Sequence, residues 1–267
     1  MTDVPRLATS IPSRLNVTVP QVDPLMLRLV PLPETCRLGS VRASALSFLI
    51  DAVAGVTVDS DPDHWTFTSD MLVRMNPVRA PDLVDGTAAV LRRGKRSATT
   101  EARLVDPHGS LVAFGSLGFA HVPRRPTDPE KITFDAVGAA EAWGRITPID
   151  TPLPEAAGIE VIDGASGIVR VEITEDLRNP AGAMQGAMVA LVAEVAAEEM
   201  ISARWGRPAL VCDLDIRYLA QSRVGPVRTR SEWLGDDDDA WVRVELVDES
   251  NGQLLTHVLA RAREPTT

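Results

Sequence analysis

The 267-residue sequence predicts an α+β protein in which one structural unit occurs twice, each copy a curved antiparallel sheet wrapped around a long apolar helix. Three observations predict it. An offset of 143 residues lays "GSVRASALSFLIDAVAGV", from Gly39, over "GAMQGAMVALVAEVAAEE", from Gly182, so that glycine meets glycine and Asp51 meets Glu194. The same offset pairs "DMLVRM" (70–75) with "DLDIRY" (213–218), and self-similarity at a fixed spacing marks a repeated unit, here of about 120 residues. Each long segment is apolar on nearly every side, and such a helix has to be covered on nearly every side. Segments that alternate with a period of two follow each helix, the pattern of an antiparallel sheet with one wet face.

In chain order, "LNVTV" and "LMLRLV" open the first copy as an extended pair. A glycine-containing loop leads into the apolar helix. The strands "WTFTSDMLVRM", "GTAAVLRRG", "SATTEARLVD" and "LVAFGSLGFAHV" come next, with "LVDPHG" (104–109) as a hairpin turn. The second copy repeats this order: "GIEVID" and "GIVRVEIT" split by the turn "GASG", a loop, the helix, then "ALVCDLDIRYL", "GPVRTRSEWLG", "DAWVRVELVD" and "LLTHVLARAR", with "LVDESN" (246–251) as the matching turn. Between the copies the sequence is rich in proline and charge, which reads as a linker with a short helix at "AVGAAEAW". The expected division is an N-terminal unit over 1–125, a linker over 126–144 and a C-terminal unit over 145–267. Two such units that join their sheets edge to edge cover both helices.

Composition bounds the function. A hydrophobic content of 45% with 24% charged residues is that of a soluble globular protein. The net charge of −10 argues against nucleic acid or an anionic membrane as a bulk partner, since neither is attracted to such a field. Cys36 and Cys212 make no disulfide framework, and no C-x-x-C or H-E-x-x-H spacing points to a metal, so neither a metal nor a cofactor is expected. The proline-broken start lacks the apolar core of a signal peptide and no stretch has the length of a membrane span, so a cytoplasmic location is expected.

The candidate chemistry lies in two polar residues of the second apolar segment, Gln185 and Glu194. Nine residues apart, they sit about half a turn out of phase and roughly 13.5 Å apart along the axis, so they do not share a site on their own helix. Two antiparallel helices change this, because the start of each then faces the middle of the other. Asp51 of the first copy comes together with Asn179, Gln185 and Gly186 of the second, and Glu194 with Cys36, Arg42 and Ala43. The first set offers a carboxylate as base or nucleophile, two amides, and a backbone N–H at a helix N-terminus that favours developing negative charge, a combination suited to acyl transfer. The second set, with a cysteine and an arginine in place of the amides, reads as degenerate. Glu194 reads as a structural partner of Arg42. Cys36 and Cys212 read as inert, and His64, His108, His121 and His257 as surface or strand residues outside any triad.

"N-P-A-G-A-M-Q-G-A", with a carboxylate nine residues after the Gln, resembles the hotdog-fold acyl-CoA thioesterases of the phenylacetate-pathway type, over residues 14–122 and 145–263. The resemblance implies a double hotdog in which Asn179, Gln185 and Gly186 of one unit act with Asp51 and Thr68 of the other. Ser69 is the neighbouring candidate to Thr68, and Val211 stands at the matching position of the second copy. The chain departs from the pattern at three positions: Gln185 where the family has His, Ala187 where it has a second glycine, and Glu194 for Asp. Type II acyl-CoA thioesterases, also double hotdogs, are similar in placing Asp, Thr and Gln around the attacking water.

The resemblance implies hydrolysis of an acyl-CoA thioester, and a CoA ligand carries phosphates. Arg92, Arg93, Lys95 and Arg96 form the densest basic run in an acidic chain, whereas the equivalent hairpin holds Asp236 to Asp239 and would repel them. The run reads equally as solvated hairpin charge. Two other readings stay open, a non-catalytic acyl-CoA or lipid-binding hotdog and an enoyl-thioester hydratase or dehydratase. A homodimer is expected, since hotdog pairs often associate further.

Overall fold

The structure is a computed structural model that describes residues 10–59, 61–128, 131, 137, 146–235 and 240–263. The first half of the chain begins with the hairpin of β1 (Val17–Gln21) and β2 (Met26–Leu29). A small flap follows, β3 (Cys36–Arg37) and β4 (Ser40–Val41), whose tight turn places Leu38 and Gly39 at positive φ. Then come α1 (Ala43–Val58), β5 (His64–Met75), β6 (Val84–Arg93), β7 (Ser97–Val105) and β8 (Leu111–Pro123). The second half has a one-turn helix α2 (Leu153–Ala156), β9 (Glu160–Asp163), β10 (Ile168–Val171), α3 (Gly186–Trp205), β11 (Leu210–Tyr218), β12 (Val227–Leu234), β13 (Trp241–Asp248) and β14 (Leu254–Arg263). The period-two segments are strands. Most of the linker helix expected at "AVGAAEAW", and all of Asp236 to Asp239, lie outside the described residues.

Twelve strands make one antiparallel sheet in the order β1-β2-β6-β7-β8-β5-β11-β14-β13-β12-β10-β9. Read inward from either edge, the succession is the same: the hairpin before the helix, then the second, third and fourth strands after it, then the first. The halves of the sheet meet where β5 pairs with β11, Arg74 opposite Asp213 through Asp70 opposite Arg217. Ahead of Asp70 that edge of β5 has no partner strand among the described residues.

The two long helices lie together on the inner face of this sheet. Both are buried on nearly every side, as their composition requires. Their ends are fixed by different devices. The Gln185 side chain caps the start of α3, and Gly206, in the left-handed region at φ 66, ends it. At the end of α1 the Arg93 guanidinium donates to the Thr57 and Val58 carbonyls, which the last turn leaves without partners. Residues 10–15 pack against the rest of the protein despite their proline-broken sequence. Ile11 and Leu15 are buried, and the segment joins the second half of the chain through Ile11 N–H to the Asp176 carbonyl at 2.9 Å and Ile149 N–H to the Arg14 carbonyl at 3.1 Å.

Close approach of sheet to helix depends on two glycines. A Cβ at Gly115 of β8 would lie 2.5 Å from Ile50 Cγ2 of α1, and one at Gly86 of β6 would lie 3.2 Å from Leu49 Cγ of the same helix. Overpacking at such a contact costs about 1–3 kcal/mol. Gly115→Ala is therefore expected to destabilise the protein by about 1–3 kcal/mol in urea unfolding, with the m-value unchanged because the exposed surface does not change.

Candidate active site

The helix crossing brings the middle of α1 against the start of α3. Asp51 projects from α1 toward α3, and both of its carboxylate oxygens are engaged. Oδ1 accepts from Thr68 Oγ1 at 2.6 Å and Oδ2 accepts from Gln185 Nε2 at 3.2 Å. The orientation of the Gln185 amide is determined by its neighbours. The Ala187 N–H can only donate, so it takes Gln185 Oε1, at 2.6 Å, and leaves the NH₂ group to face the carboxylate. Burial pushes the Asp51 carboxyl above the usual carboxylate range, and the Thr68 hydrogen bond offsets part of that rise.

Gly186 is the first residue of α3, and its N–H has no hydrogen-bond partner among the described residues. An N–H in that position is one of the orphan donors of a helix start and adds to the positive end of the helix dipole. A side chain here would crowd the site, since a Cβ on Gly186 would stand 3.1 Å from Tyr218 Oη and 3.7 Å from Asp51 Oδ2.

Tyr218 is the residue the sequence reading missed. Its hydroxyl donates to the Gly186 carbonyl at 3.0 Å, and burial followed by the Asp51 charge holds its phenol well above its ordinary range. The available signal was slight: it is the one tyrosine of the chain, and Met75 stands opposite it at the repeat offset.

Not every expected residue reaches the carboxylate. Asn179 lines the same cavity, but its Oδ1 accepts from the Ala181 and Ala183 N–H groups at 3.0 and 3.1 Å, so it shapes the turn that precedes α3. No hydrogen bond joins it to Asp51. Ser69 sits in a β-bulge between Thr68 and Asp70 and donates to Asp70 Oδ2 at 2.8 Å, which leaves Thr68 as the hydroxyl that meets Asp51. Arg92, Arg93, Lys95 and Arg96 lie outside the cavity wall, exposed at the β6–β7 hairpin. None of the four histidines lines the cavity.

That cavity has a volume of about 440 Å³ and crosses the unpaired edge of β5. Thr66 and Thr68 border it on the inner face of the strand, and Trp65 and Phe67, on the alternate positions, border it outside.

The reciprocal crossing has the same backbone and a different outcome. Glu194, in the middle of α3, reaches the start of α1. Its Oε1 accepts from Ala43 N–H at 2.8 Å, and its Oε2 accepts from Ser44 N–H at 3.3 Å and Ser44 Oγ at 2.5 Å. Arg42 Nη1 lies 2.8 Å from Glu198 Oε2 and 3.8 Å from Glu194 Oε2, and Arg37 Nε lies 3.2 Å from Glu198 Oε2. With Glu194 at 0% and Glu198 at 1% exposure, these charges fill the space. Burial and the neighbouring Glu194 charge raise the Glu198 carboxyl, against the pull of Arg42 and Arg37. Val211, opposite Thr68 in the repeat, supplies only a backbone N–H, to Glu198 Oε1 at 3.4 Å. Burial also raises both thiols, Cys212 up to about 12, so neither is a thiolate near neutral pH.

No family model matches the chain, and no curated protein matches its sequence. Solved structures do resemble it. The tesB protein of Mycobacterium avium subsp. paratuberculosis superposes with a TM-score of 0.63 at 12% identity, over 95% of this chain and 98% of that one. A candidate thioesterase II from Thermobifida fusca gives 0.62 at 16% identity over 98% and 99%. A protein of unknown function with a hot dog fold from Alicyclobacillus acidocaldarius gives 0.57 at 12% identity over 96% and 98%. The likeness extends along nearly the whole chain and establishes the hotdog fold.

The filled crossing makes a stability prediction. Removing one member of a buried charge cluster leaves the others unpaired and typically costs about 3–5 kcal/mol. Arg42→Met is expected to destabilise by that amount in urea unfolding, well beyond the cost of truncating an exposed arginine.

Proposed function

We propose that the chain is a tandem hotdog, with units over 1–125 and 145–267, that hydrolyses an acyl-CoA thioester at the Asp51 crossing. The observation that carries this reading is the pairing of Asp51 with Thr68 and Gln185 beside a Gly186 N–H without an acceptor. A carboxylate held by two donors keeps lone pairs for a water, and the Gln185 NH₂ has a second proton with which to orient it. Asp51 takes a proton from that water as its oxygen attacks the thioester carbonyl carbon. The oxyanion that forms is met by the Gly186 N–H at the positive end of α3. As the tetrahedral species collapses the C–S bond breaks, and the departing thiolate recovers the proton from Asp51.

The second crossing supports the assignment of the oxyanion site. There an oxygen, Glu194 Oε1, occupies the position in front of Ala43 N–H, the repeat counterpart of Gly186. Asp51 is one methylene shorter than Glu194 and makes no such bond, so the corresponding place before Gly186 is left for a ligand oxygen. The candidate thioesterase II from Thermobifida fusca, which shares this fold, agrees with this chemistry.

For the CoA phosphates, Arg92, Lys95 and Arg96 remain the proposed contacts, with Arg93 committed to the end of α1. Their hairpin lies close to the cavity: the Arg96 carbonyl accepts from His121 N–H at 2.9 Å, and His121 Nδ1 is 3.4 Å from Thr66 Oγ1 on the cavity wall.

The test is thiol release from a panel of acyl-CoA substrates, read beside enoyl absorbance. Loss of enoyl absorbance without thiol would identify a hydratase, and saturable binding with neither signal a binding protein. In Asp51→Asn, turnover is expected to fall by more than the roughly 100- to 1,000-fold typical of losing one oxyanion donor. The pH profile follows from the raised Asp51 titration. Only the carboxylate accepts a proton, so kcat/KM rises with pH through a value above the ordinary Asp range, and Thr68→Val, which removes the offsetting hydrogen bond, moves that limb higher still.

A further inference from the structure

Gly55 interrupts the apolar run of α1, where glycine is among the weakest helix formers. Nothing in its packing requires a glycine, because a Cβ built there would meet no atom within 4 Å. Gly55 instead lines the cavity, on the stripe of α1 that also carries Phe48, Asp51, Ala52, Val56 and Asp59. This stripe is half-buried from Asp51 onward, whereas Val53, Ala54 and Val58 beside it are buried. At the repeat offset the counterpart of Gly55 is Glu198, whose side chain fills the equivalent space with Arg42 and Arg37.

The slot along this stripe has a definite end. Asp59 stands eight residues beyond Asp51, about 12 Å along the axis, and the Lys131 ammonium is bonded to Asp59 Oδ1 at 2.6 Å and to the Asp61 and His64 carbonyls at 2.7 Å each. All three ammonium protons are used, so the pair is a wall and offers no free donor. Apolar side chains of Phe48, Ala52, Val56, Met184 and Val189 are among those that line this cavity.

We propose that Gly55 is a specificity-determining residue of this site, keeping open a slot that takes the acyl group of a medium-chain thioester. The inference rests on the thioesterase reading given above. An extended chain advances roughly 1.2 Å per bond, so a slot of about 12 Å holds on the order of ten carbons between the reacting carbonyl and Lys131.

The experiment compares butanoyl-CoA and decanoyl-CoA as substrates for the wild-type protein, Gly55→Ala, Gly55→Val and Gly55→Leu, with thiol release as the readout and thermal unfolding as the check on folding. Gly55→Leu is expected to lower kcat/KM for decanoyl-CoA by about tenfold or more, with butanoyl-CoA within about twofold of wild type and Gly55→Val intermediate. Gly55→Ala is expected to unfold at a higher temperature, as a better helix former placed in open space. Hydrolysis of both substrates with an unchanged ratio in Gly55→Leu, or in Gly55→Val should the leucine variant fail to fold, overturns the slot. If wild type hydrolyses neither substrate, the thioesterase reading fails, and calorimetric binding of decanoyl-CoA then decides the slot: binding lost in the same variants supports it, and binding unchanged by them removes it.

Discussion

A carboxylate halfway along each central helix meets the N-terminus of the other, and the architecture around it follows from that contact. Two helices that are apolar on almost all sides have little polar surface with which to fix their register, and hydrophobic burial alone has no direction. The pairs Asp51 with Gln185 and Glu194 with Ala43 supply the direction, because both are satisfied only when the helices run antiparallel with start against middle. The sheet then has to turn its concave face to both helices, which it does by pairing β5 with β11.

The two crossings share a backbone and differ by one methylene and a few neighbours. Glutamate is long enough to reach the amides of the opposite helix and neutralise them, and the arginines beside it complete a closed set of charges. Aspartate stops short, is held by Thr68 and Gln185, and leaves the helix start with an unsatisfied donor. Gly186 is only partly buried and lines the cavity, so this donor faces space and not packed protein. The two crossings thus differ in kind: the Glu194 crossing is closed by its own charges, and the Asp51 crossing borders a cavity.

Much of this was legible in the sequence, since repetition and periodicity are local signals. The offset linking Asp51 to Glu194 located both crossings, the alternating segments gave the strands, and the antiparallel argument placed Gln185 against Asp51. What escaped depends on contacts between distant segments. Tyr218 lies at the end of a strand whose neighbour is known only once β5 and β11 are paired. The role of Glu198 was hidden because an acid at that point of an apolar helix has no meaning until Arg37 and Arg42 arrive from the other half. Asn179 engages its carbonyl oxygen in the turn it sits in, a bond between side chain and backbone that spacing does not reveal, while its NH₂ group, on a residue that lines the cavity, takes no part in that turn.

The two halves, hydrogen-bonded where β5 meets β11, belong to one polypeptide. In a symmetric pair of identical subunits every mutation is written twice, so a change that closes one crossing closes both. Here each position occurs once, and the charges that seal one crossing leave the other untouched. Two similar halves within a single chain thereby allow the two crossings to diverge.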